Sequence, residues 1–226
     1  MNDNNEDALL IETGRMASRL IHDFKNQIGG MKLYASYLKK RFSGHPELAE
    51  GVEIAEKIIQ GLNEMAEQSG LVSKLTRPIE LRWQTADLEA CLEMALSGLK
   101  LLADSKQVRI SLDLAATPAV MMDSQQMQIA LAAIIARAID ASPENGEVTV
   151  AVKPGGDAML IEVADWGETP GEEKLRMLFD PLTNERINRI SLGLALARRI
   201  VLLHGGEIAA RAGSPAGTVV EVRLER

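Results

Sequence analysis

The chain has 226 residues, 46% of them apolar and 25% charged, which suits one large domain or two small ones with a buried core. Aromatic residues make up only 3%, so the core is expected to be aliphatic. The net charge of −7 argues against a general nucleic-acid binder, which needs a basic face for phosphates.

The N-terminus MNDNNEDA is polar and acidic and lacks the basic region of a secretory signal. No apolar run reaches the roughly 18–20 residues that span a bilayer. The expectation is a soluble chain without a membrane anchor or a receptor's sensor. Cys91 is the single cysteine, which excludes an internal disulfide and fits a reducing cytoplasm. Its helical setting, CLEMAL, suggests a buried, inert thiol.

Residues 1–75 read as two long helices. Leu20, Phe24, Ile28, Met31, Ala35, Leu38 and Phe42 recur every three or four positions, the stripe of a helix packed in a bundle. Gly44 ends this helix and Pro46 suits the first turn of the next. Ile54, Ile58, Leu62 and Met65 form a second stripe. Two helices close no core by themselves. Pairing two hairpins into a four-helix bundle buries both stripes, so a homodimer is expected.

Thr76-Arg77-Pro78 marks a boundary, and residues 76–226 form a second region. IELRW reads as a short strand, LEACLEMALSGLKLLADSK as a helix and VRISLDL as a strand of period two. DSQQMQIALAAIIARAIDAS reads as a helix capped by Asp123 or Ser124. A turn at residues 143–146 leads to the strands EVTVAV and AMLIEVAD. LGLALARRIVLLH is a helix ending at Gly205-Gly206, and EIAARAG and GTVVEVRLER close the sheet. The fold class is α+β, with helices layered on one mixed or antiparallel sheet.

His22, Asp23 and Asn26 are the candidate chemical residues. An imidazole near neutral pH is a good nucleophile through its unprotonated nitrogen. An adjacent acid can orient the ring or take up its proton as an N–P bond forms. Asn26 lies one helical turn on, on the same face. His22 falls off the apolar stripe, where a partner protein can reach it. His45, in a turn, and His204, at a helix end, read as structural.

The segment Arg19-Leu20-Ile21-His22-Asp23-Phe24-Lys25-Asn26 resembles the phosphoacceptor box of sensor histidine kinases: His, an acid, two variable residues, then Asn or Thr. From about Pro78 onward the chain resembles the ATPase-like α/β sandwich that follows the dimerisation hairpin in that family. Residues 118–150 match the segment holding its asparagine box. IEVADWGETP matches the first glycine box. LFDPL and ISLGLALARRIVLLHGGEI match the F box, second glycine box and following helix.

The departures from that pattern are informative. Ala133 and Arg137 stand where the asparagine box, Asn-x-x-x-Asn-Ala, has its two asparagines. The second normally helps hold the magnesium that bridges ATP phosphates, and Arg137 offers no oxygen ligand for it. Asp165 and Gly167 survive in the first glycine box, but Thr169 replaces its last glycine. Gly193 survives in the second, while Arg189 and Ser191 replace glycines that let backbone amides approach phosphate. The segment between Phe179 and Ser191, a lid over ATP in the family, is short. Asp165 keeps the capacity to accept from a purine amino group, and Arg137 offers a charge-assisted donor to a phosphate. The preferred reading of Asp165-Trp166-Gly167 is a strand-end turn kept for folding.

The resemblance therefore implies a histidine phosphotransferase of a bacterial two-component phosphorelay. It would shuttle a phosphoryl group between receiver-domain aspartates through His22, without ATP or a metal of its own. Magnesium would sit on the partner receiver. The partners expected are response-regulator receiver domains and a second copy of this chain. One rival is a divergent ATP-dependent histidine kinase, and another is a scaffold that binds kinases or receivers without chemistry.

Overall fold

The computed structural model describes residues 3–115, 119–182 and 187–225, with side chains from Leu20 onward. The chain divides into two compact units, Met1–Ile79 and Glu80–Arg226.

The first unit is a helical hairpin. Helix α1 (Asp3–Phe42) and helix α2 (Ala49–Thr76) are joined through a single 3₁₀ turn, Pro46–Leu48. Gly44 turns the chain with φ +90°, a conformation that costs a residue with a Cβ. Lys39 pairs with Glu56 at 2.8 Å, and Ser69 Oγ donates to the Ile21 carbonyl at 3.4 Å, which fixes the antiparallel register. Gly51 makes the close turn possible, because a Cβ there would stand 2.8 Å from the Phe42 ring.

Only part of the two apolar stripes is covered. Ile28, Ala35, Ala55 and Leu62 are buried, while Leu20, Phe24, Met31, Leu38, Ile54, Ile58 and Met65 remain between 42% and 58% exposed. Fully burying a side chain of this size stabilises by about 1.5–3 kcal/mol, so the hairpin leaves a large apolar gain unrealised.

The second unit is a two-layer sandwich. Its elements are β1 (Gln84–Ala86), α3 (Leu88–Ser97), α4 (Lys100–Lys106), β2 (Arg109–Leu114), β3 (Val120–Met122), α5 (Ser124–Ala141), β4 (Glu147–Gly155), β5 (Ala158–Asp165), α6 (Glu172–Arg176), α7 (Arg189–Leu203), β6 (Glu207–Ala212) and β7 (Thr218–Glu225). The main sheet runs β2-β4-β5-β7-β6, with β2 parallel to β4 and every other pair antiparallel. Alternate residues of the central strands, such as Val150, Ile161 and Val222, are buried together with Leu131, Ile134 and Ile200 of the helices. The other face carries a charge network in which Lys153 and Arg211 both contact Glu162, and Arg211 also contacts Glu221. This is the expected α+β architecture with a mixed sheet.

Several local expectations need correction. IELRW is not a strand. Pairing starts one residue later, at Gln84↔Met122, because Arg82 N–H donates to Asp123 Oδ2 at 2.8 Å instead of joining a ladder. The single helix expected after it is two, α3 and α4, since a 3₁₀-type bond from Leu99 N–H to Leu96 O (2.9 Å) tightens the turn at Gly98. Helix α7 starts earlier than the apolar run, at Arg189, because Asn188 caps it. Strand β3 and helix α6 were not foreseen, being too short to show a period. Asp123, not Ser124, caps α5, accepting from Gln126 N–H at 3.0 Å. Cys91 is buried, and burial pushes its thiol up to about 11.

Candidate functional site

Helix α1 carries His22, Asp23 and Asn26 on an exposed surface. The His22 side chain is 66% exposed, and Asp23 Oδ1 lies 3.8 Å from its Nδ1. Asn26 Nδ2 lies 3.4 Å from the same nitrogen. The helix thus brings all three residues together, as the spacing requires.

Both contacts fall on Nδ1. They also compete. An Asn26 amide proton given to Nδ1 places the ring proton on Nε2 and silences it. An Nδ1–H held by Asp23 frees the Nε2 lone pair for attack and stabilises the cationic ring as a bond forms. Asp23, at 3.8 Å, stands near that nitrogen but beyond hydrogen-bond distance.

In the second unit Arg137, Asp165 and Gly167 do come together, but Arg137 points inward. It lies on α5 and is buried, as are Asp165 at the end of β5 and Thr218 at the start of β7. Arg137 Nη1 donates to Asp165 Oδ2, and Nη2 donates to Thr218 Oγ1 at 2.8 Å. Gly167 N–H donates to Asp165 Oδ1 at 2.9 Å. Both carboxylate oxygens of Asp165 thus have internal donors. The expectation that Arg137 could offer its guanidinium to a phosphate is corrected, because that guanidinium is spent on Asp165 and Thr218. Thr218 was missed from the sequence, since nothing local marks a residue 81 positions away as a partner.

The glycines here serve packing. A Cβ on Gly167 would stand 2.2 Å from the Ala141 carbonyl oxygen, and one on Gly193 would meet Ala133 Cβ at 3.4 Å. Ala133 and Gly193 are thus facing positions of α5 and α7. At the start of α7, Asn188 Oδ1 accepts from Ser191 N–H at 2.9 Å and Ser191 Oγ accepts from Asn188 N–H at 3.1 Å. This capping box satisfies internally a helix-start amide of the kind that elsewhere holds anions. The segment between Phe179 and Ser191 includes residues 183–186, which lie outside the described residues. Among the described residues no group of three or more His, Cys, Asp or Glu side chains is placed to hold a metal ion, and no helix is long and apolar enough to cross a membrane.

A two-helix hairpin followed by this α/β sandwich is similar in fold to the solved histidine kinase ThkA. Residues 122–226 match the family of histidine kinase-, DNA gyrase B- and HSP90-like ATPases. The chain is 28% identical to the sensor histidine kinase ZraS of Klebsiella oxytoca over 93% of its own length and 45% of the relative's. It is 22% identical to sporulation kinase D of Bacillus subtilis over 97% of its length and 43% of the relative's. It thus spans less than half the length of these curated relatives. Among solved structures, full-length ShkA in complex with AMPPNP superposes with a TM-score of 0.76 at 18% identity, covering 93% of this chain and 45% of that one. ThkA in complex with the response regulator TrrA gives 0.68 at 18% identity, covering 99% and 64%.

Proposed function

We propose that this protein is a histidine phosphotransferase that carries a phosphoryl group on His22 and takes it from a receiver aspartate, not from ATP. The observation that supports this most is the buried Arg137–Asp165 pair. A purine amino group must reach the carboxylate, but the Asp165 side chain is 0% exposed and both its oxygens accept internal donors. Magnesium needs oxygen ligands, and residue 137 supplies nitrogen. On this reading the chain's own side chains supply no magnesium site.

In the reaction, His22 Nε2 attacks the phosphorus of an aspartyl phosphate in line. The P–O bond to the carboxylate breaks, the N–P bond forms, and Asp23 holds the remaining ring proton on Nδ1. The reverse step delivers the group to another receiver. Magnesium belongs to the receiver. The half-exposed apolar stripes of the hairpin favour a homodimer, with Met31, Leu38, Ile54 and Ile58 lining a groove of about 380 Å³ on that face. The reducing cytoplasm is the proposed location, and nucleic acid is not a proposed partner.

A second reading, autophosphorylation of His22 from ATP by a divergent kinase, is the one the relatives favour, since those compared are kinases. One experiment separates the two: the protein is incubated with radiolabelled ATP and magnesium alone, then with phosphorylated receivers. Acid-labile label from receivers only supports the proposal, and label from ATP alone establishes the kinase. Docking without any label leaves a scaffold.

A further inference from the structure

The five-stranded sheet ends on one side at β2, which pairs with β4 alone. Arg109 N–H donates to Gly146 O and Ala115 N–H to Val152 O, each at 3.0 Å. Peptide groups alternate in direction along a strand. The odd-numbered residues of β2 therefore turn their N–H and C=O to β4, and Ile110 and Leu112 turn theirs to the open side. Leu112 is 46% exposed, although Val150 beside it in β4 is fully buried. Such an edge is a template for another strand.

The side chains of β2 say which strand fits. Ser111 Oγ donates to Thr149 Oγ1 at 3.2 Å, on the face where Lys153 and Glu162 pair. Arg109 and Asp113 share that face with Ser111. Both are exposed, neither has an ion pair among the described residues, and Asp113 acts on Lys153 only at longer range. Ile110 and Leu112 lie on the other, apolar face. The run Arg-Ile-Ser-Leu-Asp is thus its own complement when reversed. An antiparallel copy centred on Ser111 sets Arg109 opposite Asp113 and Ile110 opposite Leu112. Edge charges of one sign would repel a copy, whereas these attract it. At the opposite edge of the sheet, Arg211 of β6 is already committed to Glu162 and Glu221.

We infer that β2 is a self-complementary edge through which the second unit pairs with that of a second copy of this chain, about a two-fold axis at Ser111. The direction of the backbone groups agrees with this register. Ile110 and the copy's Leu112 both point outward, so they form a hydrogen-bonded pair that exchanges both N–H···O bonds. Arg109 and the copy's Asp113 then fall in the non-hydrogen-bonded class, where side chains stand closest. The two-fold axis repeats each contact. The contact is small, so it is weak and depends on concentration. It is separate from the hairpin seam and does not depend on the chemistry of His22.

The test uses the full chain carrying Ser111→Cys. Cys91, the chain's single native thiol, is buried. In the two-fold pair the introduced thiols sit on Cα atoms about 4.5 Å apart, a separation that a disulfide spans. Mild oxidation with diamide at micromolar concentration should link two chains through residue 111. Ala209→Cys, exposed on the opposite edge, should link roughly 10-fold more slowly or not at all, because no copy is registered there. Adding Arg109→Asp to Ser111→Cys sets like charges face to face and should slow linking roughly 10-fold. Adding Asp113→Arg as well should restore it. Asp113→Arg alone makes the equivalent clash and replaces Arg109→Asp if that variant melts early. Equal rates at positions 111 and 209, or a rate at 111 indifferent to the charge reversals, overturn the pairing.

Discussion

The backbone N–H of Asp123 donates to His204 Nε2 at 3.0 Å, while His204 Nδ1 stands 2.8 Å from the Ile200 carbonyl. The ring therefore accepts at one nitrogen and donates at the other, which is the neutral form of imidazole. Trp83 meets it edge-on with centroids 5.2 Å apart. This cluster clasps the start of the second unit to the first turn of α5 and the last of α7. His204→Ala leaves a buried amide without its acceptor and the Trp83 ring without its neighbour. The expected loss is about 1–3 kcal/mol, read from urea unfolding; a midpoint equal to that of the unmodified protein would show the clasp to be idle.

Asp123 makes the same junction dependent on pH. Burial pushes its carboxyl up, but the backbone amides of Arg82, Gln126 and Gln125 outweigh burial and hold it below the ordinary value. A lowered folded-state pKa contributes stability above the unfolded value, about 3.9, and that contribution is lost as pH falls through the folded value. Asp123→Ala should therefore cost about 1–2 kcal/mol at neutral pH, with the gap to the unmodified protein narrowing below about pH 4. Thermal melts across pH 2.5–7 (about five points) measure this, and a constant gap would contradict it.

Arg137 should be the most damaging single truncation in the second unit. Arg137→Met strands the Asp165 carboxylate in the interior, at an expected cost of about 3–5 kcal/mol, whereas Arg137→Met/Asp165→Leu should regain most of it. Arg137→Asn should acquire a nucleotide-dependent rise in melting temperature that the unmodified chain lacks. Scanning calorimetry with and without ATP and magnesium decides it, and an equal shift in both proteins would count against the plugged pocket.

At the proposed phosphoacceptor, His22→Ala should abolish acid-labile label from phosphorylated receivers without lowering the melting temperature. Asp23→Asn should slow transfer by about 10²-fold or more, as loss of a positioned acid or base does, with receiver binding unchanged. Asn26→Ala should alter the lifetime of the phosphohistidine more than stability. Full labelling of His22→Ala in a transfer assay would place the chemistry elsewhere.

Phe24→Glu or Ile58→Glu should convert the proposed dimer to a monomer in sedimentation at micromolar concentration, because each puts a charge into a seam that is half-exposed in one hairpin. A monomeric unmodified protein under those conditions would remove the four-helix bundle from the account.

The hairpin was legible because its stripes repeat over many turns, and the spacing of His22, Asp23 and Asn26 is itself a helical geometry. The central strands and the helices α5 and α7 were legible for the same reason. Period failed where elements are short, as in β3 and α6, and where a side chain replaces a backbone ladder, as Asp123 does for Arg82. The inward turn of Arg137 was hidden because its partners, Asp165 and Thr218, come from strands that only the tertiary fold brings beside α5.

The Arg137–Asp165 contact also acts as a ratchet on descent. Changing residue 137 alone to a neutral side chain leaves a buried, uncompensated carboxylate and costs a large share of the few kcal/mol that separate a folded domain from an unfolded one. Changing Asp165 alone leaves a buried guanidinium at a similar penalty. A lineage holding both can part with them only together, or after stability has been gained elsewhere. The pair therefore holds itself in place against single neutral substitutions at either position, whatever advantage one of them would bring.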